Sequence, residues 1–278
     1  EKAVEEARVK LFEELFATYG QPWGETDSGA MTLNQPFFAG LYAKRHRILY
    51  SPEEGRFWRY QGNETGLWVK QTEDSIRAEL AADIKEVSDD NEKPAMMLLR
   101  TTALMGAITG MLRGQVERWE AFKRAISPKT QRPRALIHCQ NSMLDLDESP
   151  PLQRAFAEEY MSRQQLAVAL REGAECPQFM VFLRSALSEE DIELVQKFAG
   201  QALIGVNYAQ KLLILTGTAG GGKSSLVNII EGIIGEVNVG QLRTEHLHER
   251  FELFRMIGKT LLVGVDVPGR FLQSDGAY

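Results

Sequence analysis

Between Lys211 and Gly235 the chain reads KLLILTGTAGGGKSSLVNIIEGIIG. Five residues, Leu212–Thr216, are apolar or β-branched, the length and composition of a strand buried in a parallel sheet. Gly217, Thr218, Ala219, Gly220, Gly221, Gly222, Lys223 and Ser224 follow, matching the phosphate-binding pattern G-x-x-x-x-G-K-[ST]. Leu226, Ile229, Ile230 and Ile233 then recur at helical spacing. Strand, loop and helix thus stand in the order that phosphate binding requires.

The residue types follow from the chemistry of a polyphosphate. Its charge is wrapped by backbone N–H groups, and side chains on the loop would block that approach. Glycine permits both the close contact and the unusual dihedrals. The helix starting near Lys223 adds the positive end of its dipole. Lys223 is the cation expected on the outer phosphates, the Ser224 hydroxyl the expected Mg²⁺ ligand, and ATP the expected nucleotide. Hydrolysis also needs a carboxylate beside the metal, at the end of a second apolar strand. Leu261–Asp266, LLVGVD, is such a run, and makes Asp266 the candidate.

Working outward, the 278 residues allow one large domain or two modest ones. A hydrophobic share of 44% with 25% charged residues is that of a globular chain and excludes wholesale disorder or a collagen-like repeat. Two cysteines, Cys139 and Cys176, are too few for a disulfide framework or a cysteine-based zinc site, which fits a reducing cytoplasm. Both are expected to be small buried apolar groups. The acidic, polar start EKAVEEARVK is not a secretory signal. Met96–Leu112 is apolar but interrupted by Arg100 and threonines, so it reads as a buried helix rather than a membrane span. Its Gly106, Gly110 and Gly114 share one face, expected to pack tightly inside the domain.

The apolar spacing of Val4, Ala7, Leu11, Leu15 and Tyr19 predicts a helix ended by Gly20. Arg47–Tyr50, Arg56–Tyr60 and Leu67–Lys70 read as strands between turn-forming segments. Thr72 caps a helix to about Val87, and a helical region spans about 95–126. Ser127–Arg134, SPKTQRPR, reads as a solvated basic linker. ALIHC and MLDL flank Gln140–Ser142 as a hairpin, trailed by an exposed acidic turn at Asp145, Asp147 and Glu148. Pro177 opens a helix over Phe179, Phe182 and Leu183, and Ser188 caps another to about Leu203. The domain reading is an α+β accessory region over 1–130, a hairpin and helical lead-in over 131–203, and a phosphate-loop α/β core over 204–278.

Three further signals are ambiguous. Lys44, Arg45 and Arg47 lie among Tyr42, Tyr50, Phe57, Trp58, Tyr60 and Trp68, a mixture suited to single-stranded nucleic acid or to the core of a small sheet with charges outside. A net charge of −6 supplies no general attraction to DNA. His246 and His248, two residues apart with no third ligand nearby, read as solvated. Arg243, Arg250 and Arg255, between the two motifs, would suit a kinase that hands phosphate to a small acceptor.

NSMLDL (141–146), AECPQFMVFL (174–183), QKLLILTGTAGGGKSSL (210–226), LRTEHLHERFEL (242–253) and GKTLLVGVDVPGRFL (258–272) together resemble the phage- and plasmid-encoded primase–helicases. These are superfamily 3 helicases, akin to the poxvirus primase–helicase. The resemblance implies an α/β fold of the P-loop NTPase type with a parallel sheet, and an ATP- and Mg²⁺-dependent ring, a hexamer, that unwinds DNA in replication. Gly217 to Ser225 become the nucleotide loop and Asp266 the Walker B acid. Many such helicases place a second acid after that aspartate, where this chain has Val267, leaving Glu245 or Glu249 as candidate bases. That departure also fits a DNA- or partner-binding scaffold with a degraded motor. Twelve residues follow Asp266, so the sheet is expected to be incomplete at the C-terminus and this piece poorly active alone.

Overall fold

The computed structural model describes residues 2–243 and 253–265. The fold is mixed α/β with several small sheets, and it divides into two compact units: 1–123 with 158–161, and 124–157 with 162 onward.

In the first unit, α1 (Lys2–Tyr19) ends at Gly20, whose φ of 79° suits the left-handed cap. β1 (Trp23–Glu25) and β2 (Met31–Leu33) pair antiparallel. α2 (Gln35–Arg45) starts at Asn34, whose side chain accepts the Phe37 N–H, with Pro36 in the first turn. Phe37 through Tyr42 are all buried, because α1, α3 (Glu73–Asp90) and α4 (Thr102–Gln115) surround this helix. β3 (Ile48–Ser51), β4 (Arg56–Tyr60) and β5 (Trp68–Gln71) form an antiparallel meander within a residue of the expected runs. The Thr72 hydroxyl accepts the Ser75 N–H at 3.1 Å and starts α3 as expected.

Two expectations for this unit fail. The region expected to be helical over 95–126 is not one helix: a 3₁₀ segment, Pro94–Leu99, precedes α4, with Arg100 and Thr101 between them, and α4 ends at Gln115. Nor do Gly106, Gly110 and Gly114 pack against anything; a Cβ on any of them would meet open space. Met105, Ile108 and Leu112 occupy the buried face instead, since burying large side chains removes far more apolar area from water than burying glycines does.

The Lys44–Arg47 cluster resolves in favour of a sheet core. Phe57, Trp58, Tyr60 and Trp68 are buried, so their ring faces are closed to a stacking base. Lys44 pairs with Glu14 at 3.2 Å, Arg47 with Glu158 at 3.5 Å, and Arg45 with Asp83 at 2.6 Å and Glu86 at 2.7 Å.

In the second unit, β6 (Leu136–His138) and β7 (Met143–Asp145) make the expected hairpin, and β8 (Leu152–Arg154), which the sequence did not announce, adds antiparallel to β7. α5 (Pro177–Ala186) and α6 (Glu189–Ile204) follow, the latter capped by Ser188 and closed by Gly205 at φ 72°. α7 (Lys223–Ile234) leads into β9 (Val239–Gln241), which pairs parallel with β10 (Leu261–Val263). Among the described residues, parallel pairing between strands is confined to β9 and β10. Leu212–Thr216, expected as a strand, has no ladder partner among the described residues, and Leu212 and Ile214 are exposed. An apolar pattern sets the two faces of a strand but does not supply its neighbour.

The expected acidic turn is a second correction. Asp145 is 1% exposed, and its carboxylate accepts from Arg134 at 2.6 Å, Arg154 at 3.0 Å and the Asp147 N–H at 3.2 Å. Arg134 is therefore an ion-pair donor rather than part of a solvated linker. Burial pushes the Asp145 carboxyl up, but the Asp147 N–H and the two guanidiniums outweigh it and hold the pKa below its ordinary value. Cys139 is buried as expected; Cys176, expected to be buried, is exposed at the N-cap of α5.

Candidate functional site

Residues 131–203 and those beyond share one apolar cluster, in which Ile137, Leu183, Ile192 and Val195 join Leu226, Ile230, Ile234 and Leu261. Leu213 and Leu215 pack against it from the segment before the loop. α7 is thereby anchored along its inner face while its N-terminus stays free. Of the predicted inner positions Leu226 and Ile230 are buried, Ile234 takes the innermost place, and Ile229 points outward.

The loop itself is open to solvent from Gly217 through Gly221. Gly220, at φ 77°, and Gly222, at φ 80°, hold the left-handed conformation that glycine adopts without steric cost. The Gly221 N–H donates to the Thr218 carbonyl at 3.2 Å, tightening the turn. Gly222 is the N-cap of α7 and has no side-chain cap, so the first amides of the helix face outward without a competing oxygen of that residue. Lys223 folds back over the loop, its Nζ donating to the carbonyls of Gly217 at 3.0 Å and Thr218 at 2.8 Å. Ser224 and Ser225 follow on the exposed face of the first turn.

The sequence left out a second wall. The Phe182 ring of α5 lies so near Gly222 that a Cβ there would sit 3.0 Å from it. A side chain at 222 would therefore fail twice, by conformation and by contact. Phe179 and Phe182, three residues apart on α5, are only partly buried.

These residues fit a polyphosphate with a divalent cation. The open amides, the uncapped helix start and a lysine on a flexible stem supply positive potential, and the Ser224 hydroxyl stands one residue beyond Lys223, where a metal ligand is needed. β10 is in place, with Leu261 in the same apolar cluster as α7. Asp266, Glu245, His246, His248, Glu249 and Arg250 lie outside the described residues. Among the described residues no group of three His, Cys, Asp or Glu could hold a metal, and no helix is long and apolar enough to cross a membrane. The chain matches no model of a known protein family, and no curated protein matches it.

Proposed function

We propose that the chain binds a nucleoside triphosphate with Mg²⁺ at Gly217–Ser225 and is the ATPase module of a DNA helicase of the primase–helicase type. The observation that carries the nucleotide reading is the open glycine loop ending in an uncapped helix, with Lys223 folded onto two loop carbonyls. A lysine held by neutral carbonyls moves readily to a phosphate, because a charge-assisted bond to an anion is roughly twice as strong as a bond between neutral groups. The amides of Gly220 and of Gly222–Ser224 would bind and orient the phosphates, and Lys223 would offset charge on the outer ones. Mg²⁺, held by Ser224 with Asp266 completing the set, would supply electrostatic stabilisation of the transferred phosphoryl group.

The DNA-unwinding part of the proposal, with self-association as a ring, rests on the sequence resemblance. The basic cluster of the first unit adds nothing to it, since Lys44, Arg45 and Arg47 already face carboxylates. The decisive measurement is MgATP affinity by calorimetry for the chain and for Lys223→Ala. A loss of about a hundredfold or more is expected, the scale of a charged hydrogen-bonding group removed from its partner. Equal affinities overturn the site. ATPase stimulated by single-stranded DNA then separates a helicase from a kinase, which would be stimulated by its acceptor instead.

A further inference from the structure

Gly217, Gly220, Gly221 and Gly222 differ in what stands on their open side. A Cβ on Gly217 or Gly220 would meet nothing within 4 Å, and one on Gly221 would meet only Thr218 of the same turn. Gly222 alone of the four faces another element. A Cβ there would lie 3.0 Å from Cε2 and 3.1 Å from Cζ of Phe182, on α5. Leu183, the next residue of α5, is buried in the cluster that also holds Leu226 and Ile230 of α7. α5 and α7 are thus rooted in one core, and Phe182 reaches from it to the end of the loop. Phe179 stacks on the same ring, with centroids 6.2 Å apart and an interplanar angle of 22°.

We infer that Phe182 is a positioning residue: by apolar contact it holds Gly222 in its left-handed turn, so that the first amides of α7 are aimed in advance of binding. The inference rests on the phosphate-loop reading and adds to it the group that keeps the loop in shape. Two observations carry it. The Gly222 carbonyl accepts the Leu226 N–H at 3.0 Å, so the helix fixes that side of the residue. Its φ, at 80°, then sets how the loop departs. Glycine populates positive and negative φ about equally, so the residue itself does not choose; packing does. Other helices of the chain lock their starts with a side-chain oxygen, as at Asn34, Thr72 and Ser188. Such an oxygen takes an amide that an anion would need. α7 has no side-chain cap, and a ring restrains its start without taking a donor.

The test measures MgATP and magnesium tripolyphosphate affinity by calorimetry, and amide hydrogen exchange by NMR without ligand, on the unaltered chain, Phe182→Ala, Phe182→Leu, Phe179→Ala and Lys223→Ala. Circular dichroism verifies folding. Ordering one residue's backbone at the moment of binding costs a factor of roughly 5–30. Phe182→Ala should therefore bind both ligands about tenfold more weakly, by the same factor. Exchange at Gly222–Ser224 should quicken by about as much, while Ile230–Ile234 of the same helix keep their rates. Phe182→Leu keeps an apolar group over Gly222 and should lose only about two- to threefold. Phe179→Ala removes a ring from the same helix without touching Gly222, and should change neither readout. Unchanged affinity or exchange in Phe182→Ala overturns the assignment, as does an equal loss in Phe179→Ala. Exchange that quickens throughout α7 overturns it too, because it marks general destabilisation. A loss for MgATP alone does the same, since it puts the ring against the nucleoside instead of the loop. Should Phe182→Ala not fold, the smaller loss in Phe182→Leu is the reading, and its absence is fatal. If Lys223→Ala binds both ligands like the unaltered chain, the phosphate-loop reading falls and takes this inference with it; if it weakens them while the Phe182 variants do not, only this inference falls.

Discussion

Two buried aspartates, one in each unit, meet opposite fates. Asp83, in the helical unit, is 7% exposed; one carboxylate oxygen accepts from Arg45 and the other has no hydrogen-bond partner. Burial raises its pKa, and Arg45 offsets this only in part. Asp145, in the second unit, is 1% exposed, yet its pKa is lowered, because a backbone N–H and two guanidiniums converge on it. Burial alone therefore does not decide the state of a carboxylate; the completeness of its partner set does. The units differ in the same sense overall. The first closes its apolar faces around α2, while the second keeps Leu212, Ile214 and the loop in solvent.

The sharpest way to break this comparison is through the cores. Ile108, fully buried against α2, should cost about 4 kcal/mol when replaced by alanine, through lost transfer energy and the cavity left behind. All four tryptophans, Trp23, Trp58, Trp68 and Trp119, lie in the first unit, so denaturant unfolding followed by tryptophan fluorescence reads this loss there. A midpoint unchanged by Ile108→Ala would deny that the helices around α2 hold the unit together.

A smaller effect, about 2 kcal/mol, is expected from Asp145→Asn, which leaves Arg134 and Arg154 without their shared anion, both part-exposed and so partly rescued by water. The pH dependence has a definite sign. A carboxyl whose folded pKa lies below its ordinary 3.8 contributes stability that is fully present above that value. The contribution fades as pH falls below 3.8 and through the lower folded value, so the hairpin unit of the unaltered chain should lose stability there. Circular dichroism at fixed denaturant, with pH stepped from 6 to 2, should show the difference between Asp145→Asn and the unaltered chain shrinking. A constant difference would sink the ion-pair account.

The smallest effect has the opposite sign. Gly110 sits mid-helix with open space at its Cβ position, so Gly110→Ala should stabilise the first unit by about 1 kcal/mol. Tight packing along that stripe would make the same change destabilising.

How much of this the amino acids announced depends on whether the signal is local. Two caps declared themselves: Thr72 and Ser188 act within three residues, and each helix starts where its cap requires; the helix that Asn34 caps went unread. The open turn from Gly217 to Gly222 was legible for the same reason, since its glycines stand at fixed offsets within a few residues. Partners distant in sequence stayed hidden. Nothing beside Asp145 says that Arg134 and Arg154 will reach it, and nothing beside Gly222 says that a ring forty residues earlier will cover it. The pattern at Leu212–Thr216 describes what those residues tolerate, apolar surroundings on both sides, and is silent on which segment provides them.

Lys223 holds the carbonyls of Gly217 and Thr218 together. The amino group that the proposal assigns to a phosphate thus also braces the loop, like a latch resting on its strike plate. A ligand with a single phosphoryl group has to unfasten both contacts with few oxygens to offer in return, while a longer polyanion engages the lysine and the helix amides at once. On the proposed nucleotide reading, a resting posture of this kind would favour longer polyanions over a single phosphoryl group.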